Sequence, residues 1–322
     1  MTRPLQLALL LVATSACTTR AVRPSTWQSP LHREHPLVGK VWDVRQQQFV
    51  SLEAVKANAR EAHFVLLGEM HDNPDHHLLQ AELLSAATSS GRKPAVAFEM
   101  LDLTQQARVD AALGASPKTP DTFAQAVDWA HSGWPPFEIY RPIFEVAFEA
   151  QLPIVAANLS REQARRAMKE GASALDPGVR ERLAQDEPVP DEILRTWREE
   201  MRSSHCDALP ESMIDPLVLA QRARDVQLAR RMEDADRGDG AVLIAGAGHV
   251  RDDRGVPAVL AKDRPGQSIL SIGLLEVKPG ELTPDAYAAR FGAAALPFDY
   301  VVFTPAFERK DPCETFHKKE QR

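Results

Sequence analysis

Cysteine is almost missing from this chain: three residues in 322, at positions 17, 206 and 313, with no C-x-x-C pair. That excludes the common thiolate zinc sites and a thioredoxin-like redox motif. Tyrosine is equally scarce, with Tyr140, Tyr287 and Tyr300 the full set. No apolar run approaches the roughly 18 residues that a membrane-spanning helix needs. The H-E-x-x-H zinc helix, the G-x-S-x-G nucleophile elbow and the Lys-Ser/Thr ending of a phosphate loop are all lacking. The formal charge is −7 and no concentrated basic stripe occurs, which argues against nucleic acid as a partner. There is no internal repeat and no low-complexity tract.

What is present begins with an export signal. Arg3 precedes an apolar stretch from Leu5 to Ala13 broken only by Gln6, and Thr14–Ser15–Ala16 supplies small residues before Cys17. Residues 1–16 thus have the build of a signal peptide. The small-small-Cys ending resembles a lipoprotein cleavage box, although Thr14 stands where such boxes prefer Leu. We therefore expect lipidation of Cys17 and a domain attached to the membrane by its lipid. Thr18 rather than Asp follows, which points to the outer membrane. Residues 17–34 read as a polar tether and 311–322 as a tail. Export also makes a Cys206–Cys313 disulfide available, with two buried free thiols as the alternative.

The body, residues 35–310, alternates short apolar strands with helical stretches. Strands are expected at Phe64–Leu67, Ala95–Phe98, Pro153–Ala157, Ala241–Ala245, 268–277 and 300–303, with a small hairpin over 42–50. That order predicts an α/β fold, a mostly parallel sheet flanked by helices. Insertions around 100–150 and 172–212 should form a smaller helical cap subdomain.

Four of these strands end in polar residues: Gly68–Glu69–Met70–His71, Glu99, Asn158 and Gly246–Ala247–Gly248–His249. In open α/β sheets, ligands bind beyond the strand carboxyl ends. Glu69 and His71 are one residue apart, so an extended strand would aim both the same way, with Met70 turned into packing. Asp72 is near enough to orient His71. His76 and His77 read as surface or cap residues, about 100° apart on a helix. Arg251 reads equally as an anion contact or as an exposed side chain. The S-S-H-C cluster at 203–206 does not establish a nucleophile.

The stretches GEMHDNPDHH, FEM, W-P-P-F-E-I-Y-R-P, A-A-N-L-S-R, S-S-H-C, A-Q-R-A-R-D-V-Q-L-A-R-R-M and G-A-G-H-V occur in an order that resembles the ChaN-like haem-binding lipoproteins. That family falls within a wider superfamily with Tiki/TraB-type proteins and erythromycin-esterase-like enzymes. The resemblance spans about residues 35–305. It implies a parallel α/β core with a helical subdomain, a lipid anchor, haem as cofactor, a role in iron or haem acquisition, and a homodimer bridged by stacked haems. It also implies a tyrosine on the iron. Tyr140, in the family-like loop with Trp134, Arg141 and Pro142, is the candidate; Tyr300 reads as core and Tyr287 as surface. Arg141 would favour a phenolate or meet a propionate, and Trp134, Phe137 and Ile139 would face the porphyrin, with Met100 a weaker axial candidate.

A competing expectation comes from the strand ends. Glu69 as general base, His71 and His249 as ligands of Zn or Mn or as transition-state contacts, and Glu99 as a second acid would make a hydrolase. A third reading treats the four as a buried polar network in an interaction protein.

Overall fold

The computed structural model describes residues 26–89, 91–310 and 313. The signal peptide, Cys17 and the tail apart from Cys313 lie outside the described residues. Eight strands form one sheet: β1 Val41–Asp43, β2 Gln48–Val50, β3 Phe64–Glu69, β4 Ala95–Asp102, β5 Ile154–Asn158, β6 Ala241–Gly246, β7 Ile269–Glu276 and β8 Tyr300–Thr304. Their order is β2-β1-β8-β7-β3-β6-β4-β5. All neighbours from β8 to β5 run parallel, and the β1–β2 hairpin adds on antiparallel to β8.

The helices are α1 Leu52–Glu61, α2 Pro74–Thr88, α3 Gln106–Gly114, α4 Pro120–Ala126, α5 Phe137–Glu149, α6 Arg161–Glu170, α7 Pro177–Ala184, α8 Asp191–Ser204, α9 Ile214–Ala235 and α10 Val256–Asp263. Local chemistry sets several of their starts. Ser51 accepts the Ala54 N–H, Asn73 accepts the Asp75 N–H ahead of Pro74, and Ser160 and Gln163 form a reciprocal capping box. Among the described residues, no helix is long and apolar enough to cross a membrane.

Side-chain alternation divides the sheet between two cores. Val65, Leu67, Val96, Phe98, Val242 and Ile244 point to the face covered by α1, α2 and α5. Phe64, Leu66, Ala95, Ala97, Ala241 and Leu243 point to the face covered by α7, α9 and α10. Burial on both faces is why these strands read as unbroken apolar runs. A third, small core joins Trp197 and Met201 of α8 to Ile214 and Val218 of α9, and this is the smaller helical subdomain.

Several expectations need revision. The 100–150 insertion is not all cap, because α5 lies against α2 and contributes Tyr140, Ile143, Phe144 and Ala147 to the main core. Part of the tether is packed: Ser29 is buried, and Asp75 accepts the Gln28 and Ser29 N–H groups at 2.9 and 2.8 Å. Tyr287 is buried, not on the surface, and its hydroxyl accepts the Lys278 N–H at 3.0 Å. Tyr300 is half-buried, with its hydroxyl accepting from Asn58 at 2.7 Å. Met70 is exposed and Met100 buried. Arg251 is buried and faces Asp253 and Glu200. The Cys206–Cys313 disulfide, by contrast, is present as one of the two readings above had it, just past α8 with the Cα atoms 5.5 Å apart.

Candidate functional site

Register brings the strand ends together. Glu69 pairs with Gly246 across β3 and β6, and Phe98 pairs with Ile244 across β4 and β6, so Glu99 arrives beside Ala245, one residue short of Gly246. The pleat then sends the two acids to opposite faces. Glu69 has the parity of Val65 and Leu67 and turns toward α2 and α5. Glu99 has the parity of Ala95 and Ala97 and turns toward α9.

On the first face, Glu69 is fully enclosed. Its Oε1 lies 2.8 Å from His71 Nδ1 and accepts the Tyr140 hydroxyl at 3.1 Å. Its Oε2 lies 2.8 Å from His77 Nδ1 but makes no aligned hydrogen bond, because that N–H is directed at Gln80 Oε1, 3.0 Å away. We take this contact as an ion pair without a directed bond. Burial would push the Glu69 carboxyl up, but His77 and His71 outweigh it and hold it at about 2. The same carboxylate raises His77 against the effect of burial.

On the second face, Glu99 Oε2 accepts the Gly246 N–H at 2.8 Å, and Oε1 lies 3.4 Å from His249 Nε2. His249 Nδ1 donates to Asp225 Oδ1 of α9 at 2.6 Å and has the Gln221 amide 3.2 Å away. Burial opposes a charged His249, but Glu99 and Asp225 lift it to about 10. Burial also pushes Asp225 up; we place the proton on His249, which has two carboxylates against it. Burial raises Glu99 too, yet His249 and His71 leave it well below the usual carboxylate range.

His71 joins the halves. Its Nε2 is 3.8 Å from Glu99 Oε2, its ring packs edge-on to Trp134 at 4.8 Å, and a third of its side chain remains accessible. Burial lowers it, but Glu99 and then Glu69 raise it to about 9. Gly246 makes this approach possible, since a Cβ there would lie 3.0 Å from His71 Nε2.

Glu69, His71, Glu99 and His249 thus meet in one network, to which the structure adds His77, Asp225, Gln80 and Gln221. His76 and His77 are buried rather than on the surface, because α2 is enclosed between the sheet and α5. His76 Nδ1 accepts the Met70 N–H at 2.8 Å, and burial pushes its pKa down to about 3. Asp72 pairs with Arg309 rather than with His71.

The residues expected to meet haem are arranged differently from expectation. Tyr140 is fully buried; burial, with Glu69 beside it, pushes its phenol far above its ordinary pKa of 10.0. The hydroxyl donates to Glu69 and faces the His71 carbonyl at 3.2 Å, so in this arrangement Tyr140 is a poor iron ligand. Arg141 does not support it, being paired with Asp121 at 2.6 Å and stacked over Phe137. Trp134 is better placed. It stands in the walls of a cleft of about 640 Å³ that also includes Glu99, Asn158, Arg161, Arg224 and His249, and of a second of about 650 Å³ that includes Trp129, Pro135 and Phe137. Among the described residues, no group of three or more His, Cys, Asp and Glu side chains is disposed to hold a metal ion. The His71 and His249 nitrogens face carboxylates.

A family model described as "Haem-binding uptake, Tiki superfamily, ChaN" matches residues 55–260. The solved structure "Cofacial heme binding to ChaN of Campylobacter jejuni" is similar at 23% identity and a TM-score of 0.62, covering 81% of this chain and 95% of that one. That likeness bears on the fold. A mutant of the erythromycin esterase EreC in its open conformation matches at 13% identity and a TM-score of 0.39, covering 83% and 82% of the two chains. A comparison with curated proteins found no match.

Proposed function

This chain belongs to the haem-binding uptake family, and from that premise we propose that it binds haem in iron acquisition, exported and anchored by lipid at Cys17 to the outer membrane. The family match across residues 55–260 is the observation that carries the reading. Trp134, in the walls of both clefts, supplies apolar surface that suits a porphyrin face. Tyr140 buttresses Glu69 and is not assigned to the iron. Titration of the mature protein with ferric haem should give saturable binding with a shifted Soret band. Trp134→Ala should weaken it roughly tenfold, in the range of aromatic ring-stacking contacts, while Tyr140→Phe keeps the spectrum. No saturable binding would sink the reading. A changed iron spectrum in Tyr140→Phe would return that residue to the iron. Doubling of solution mass on haem addition would support a pair of copies bridged by haem.

A second reading, acid–base hydrolysis, is favoured by the convergence of Glu99 and His249 on the cleft wall. Glu69 does not suit the role of base, having no exposed side-chain surface. Glu99 well below the carboxylate range and His249 near 10 are also poorly matched to proton transfer at neutral pH, which ranks this reading second. An ester and amide panel tests it: activity should fall roughly 10²–10⁴-fold in folded Glu99→Gln. Turnover unchanged in that variant would remove Glu99 from any such mechanism.

A further inference from the structure

We propose that Arg224 of α9 and Arg161, the first residue of α6, form a carboxylate-binding subsite on the cleft wall beside Glu99 and His249. Both line the same cleft, and they are close enough for the Arg161 charge to act on Arg224. Neither makes an ion pair among the described residues. By contrast, the buried arginines Arg182, Arg251 and Arg254 each face a carboxylate. Of its five N–H donors, Arg224 commits one to the fold, to Asn158 Oδ1 at 2.7 Å. Arg161 likewise donates once, to the Ser132 carbonyl at 2.7 Å.

These positions are constructed. Asn158, at the end of β5, is fixed by donating its amide to the Glu99 carbonyl at 2.9 Å, and so presents its oxygen to Arg224. Gly133 has φ +80°, and a Cβ there would lie 2.6 Å from Arg161 Nη2, so the guanidinium rests where a side chain would stand. Burial lowers the Arg224 pKa even with the Glu99 and Asp225 charges raising it, and a bound anion would offset the remaining cost. Two neighbouring guanidiniums with donors left over match the planar fork of a carboxylate. One negative charge suits this cleft better than two, because Glu99, Asp102, Asp128 and Glu162 also line it and would repel a phosphate dianion.

The subsite goes beyond the haem reading and stands without it. Its occupant is a carboxylate, either a small organic acid or a propionate of haem. Gln221, three residues before Arg224 on α9, reaches His249, so a ligand held at Arg224 would extend over the Glu99–His249 pair.

Protein-detected NMR titration of the full mature chain with acetate, succinate and inorganic phosphate tests the proposal. At least one carboxylate should bind saturably. Arg161→Gln and Arg224→Gln should each weaken it about tenfold or more, as expected for a lost charged hydrogen bond. Arg161 is exposed, so its variant keeps the test sound if Arg224→Gln fails to fold. No saturable carboxylate binding, unchanged affinity in both folded variants, or phosphate binding more tightly than either carboxylate would overturn the subsite. Haem and haem dimethyl ester separate the occupants. Weaker binding of the ester, with the difference lost in Arg161→Gln, assigns the subsite to a propionate. Equal binding of both forms, with acetate still bound, assigns it to a free organic acid. A chain that binds acetate but no haem would end the haem reading and leave the subsite standing.

Discussion

Glu99→Ala should lower the unfolding free energy by about 3–5 kcal/mol, the cost of removing one partner from a buried charge network. Glu99 is 6% exposed and lies between His71 and His249. Without it two protonated imidazoles keep their mutual repulsion, and the Gly246 N–H loses its acceptor. Urea unfolding near pH 6 measures the loss, and a change below about 1 kcal/mol would mean that the network is not held as described.

The same network sets a pH dependence. The raised imidazoles contribute stability that is complete below 6.5 and is lost as pH rises through about 9 for His71 and about 10 for His249. Glu69 acts in the opposite direction: its contribution is complete above 4.5 and is lost as pH falls toward about 2. These groups alone would give a plateau between pH 4.5 and 6.5, but His76, held neutral by burial with its pKa at about 3, makes stability fall as pH drops below 6.5, so the maximum lies near pH 6.5. Melting curves of wild type should decline on both sides, and Glu99→Ala should flatten the alkaline side.

Removing the Cys206–Cys313 disulfide should cost about 2–5 kcal/mol, because the bond closes a long loop in the unfolded chain. The sequence separation is 107 residues, and closure entropy grows with that length. The Cys206→Ser/Cys313→Ser double variant should unfold at lower denaturant, whereas the Arg309 contacts with Asp72 and Glu276 keep the preceding segment in place. An unchanged midpoint, or two titratable thiols in the native wild type, would defeat the assignment.

The sheet was legible because its strands are buried on both faces and therefore run apolar without a break. Glu69, His71, Glu99 and His249 were legible for a related reason, as polar residues ending such runs. His77 and Asp225 lie on helices, and only tertiary packing brings them to the strand ends. A polar residue on a helix ordinarily marks the solvent face, but α2 has little such face near its start. Tyr140 was misread through its prolines. Pro135 and Pro136 precede α5 and Pro142 lies inside it, so a segment that reads as loop turns one flank into the core.

The packed segment at Ser29 limits how far the body can stand from a lipid. With Cys17 acylated as proposed, eleven residue steps separate the lipid from Gln28, whose N–H is held by Asp75. Those eleven steps span at most roughly 36–40 Å when fully extended. Asp75 opens α2, directly after the His71 loop, and Ser29 also donates to Asn73 there. The leash is thus fastened at the same end of the sheet as the strand termini and the cleft. A lipid on Cys17 would therefore keep the strand termini and the cleft within a few tens of ångströms of the bilayer.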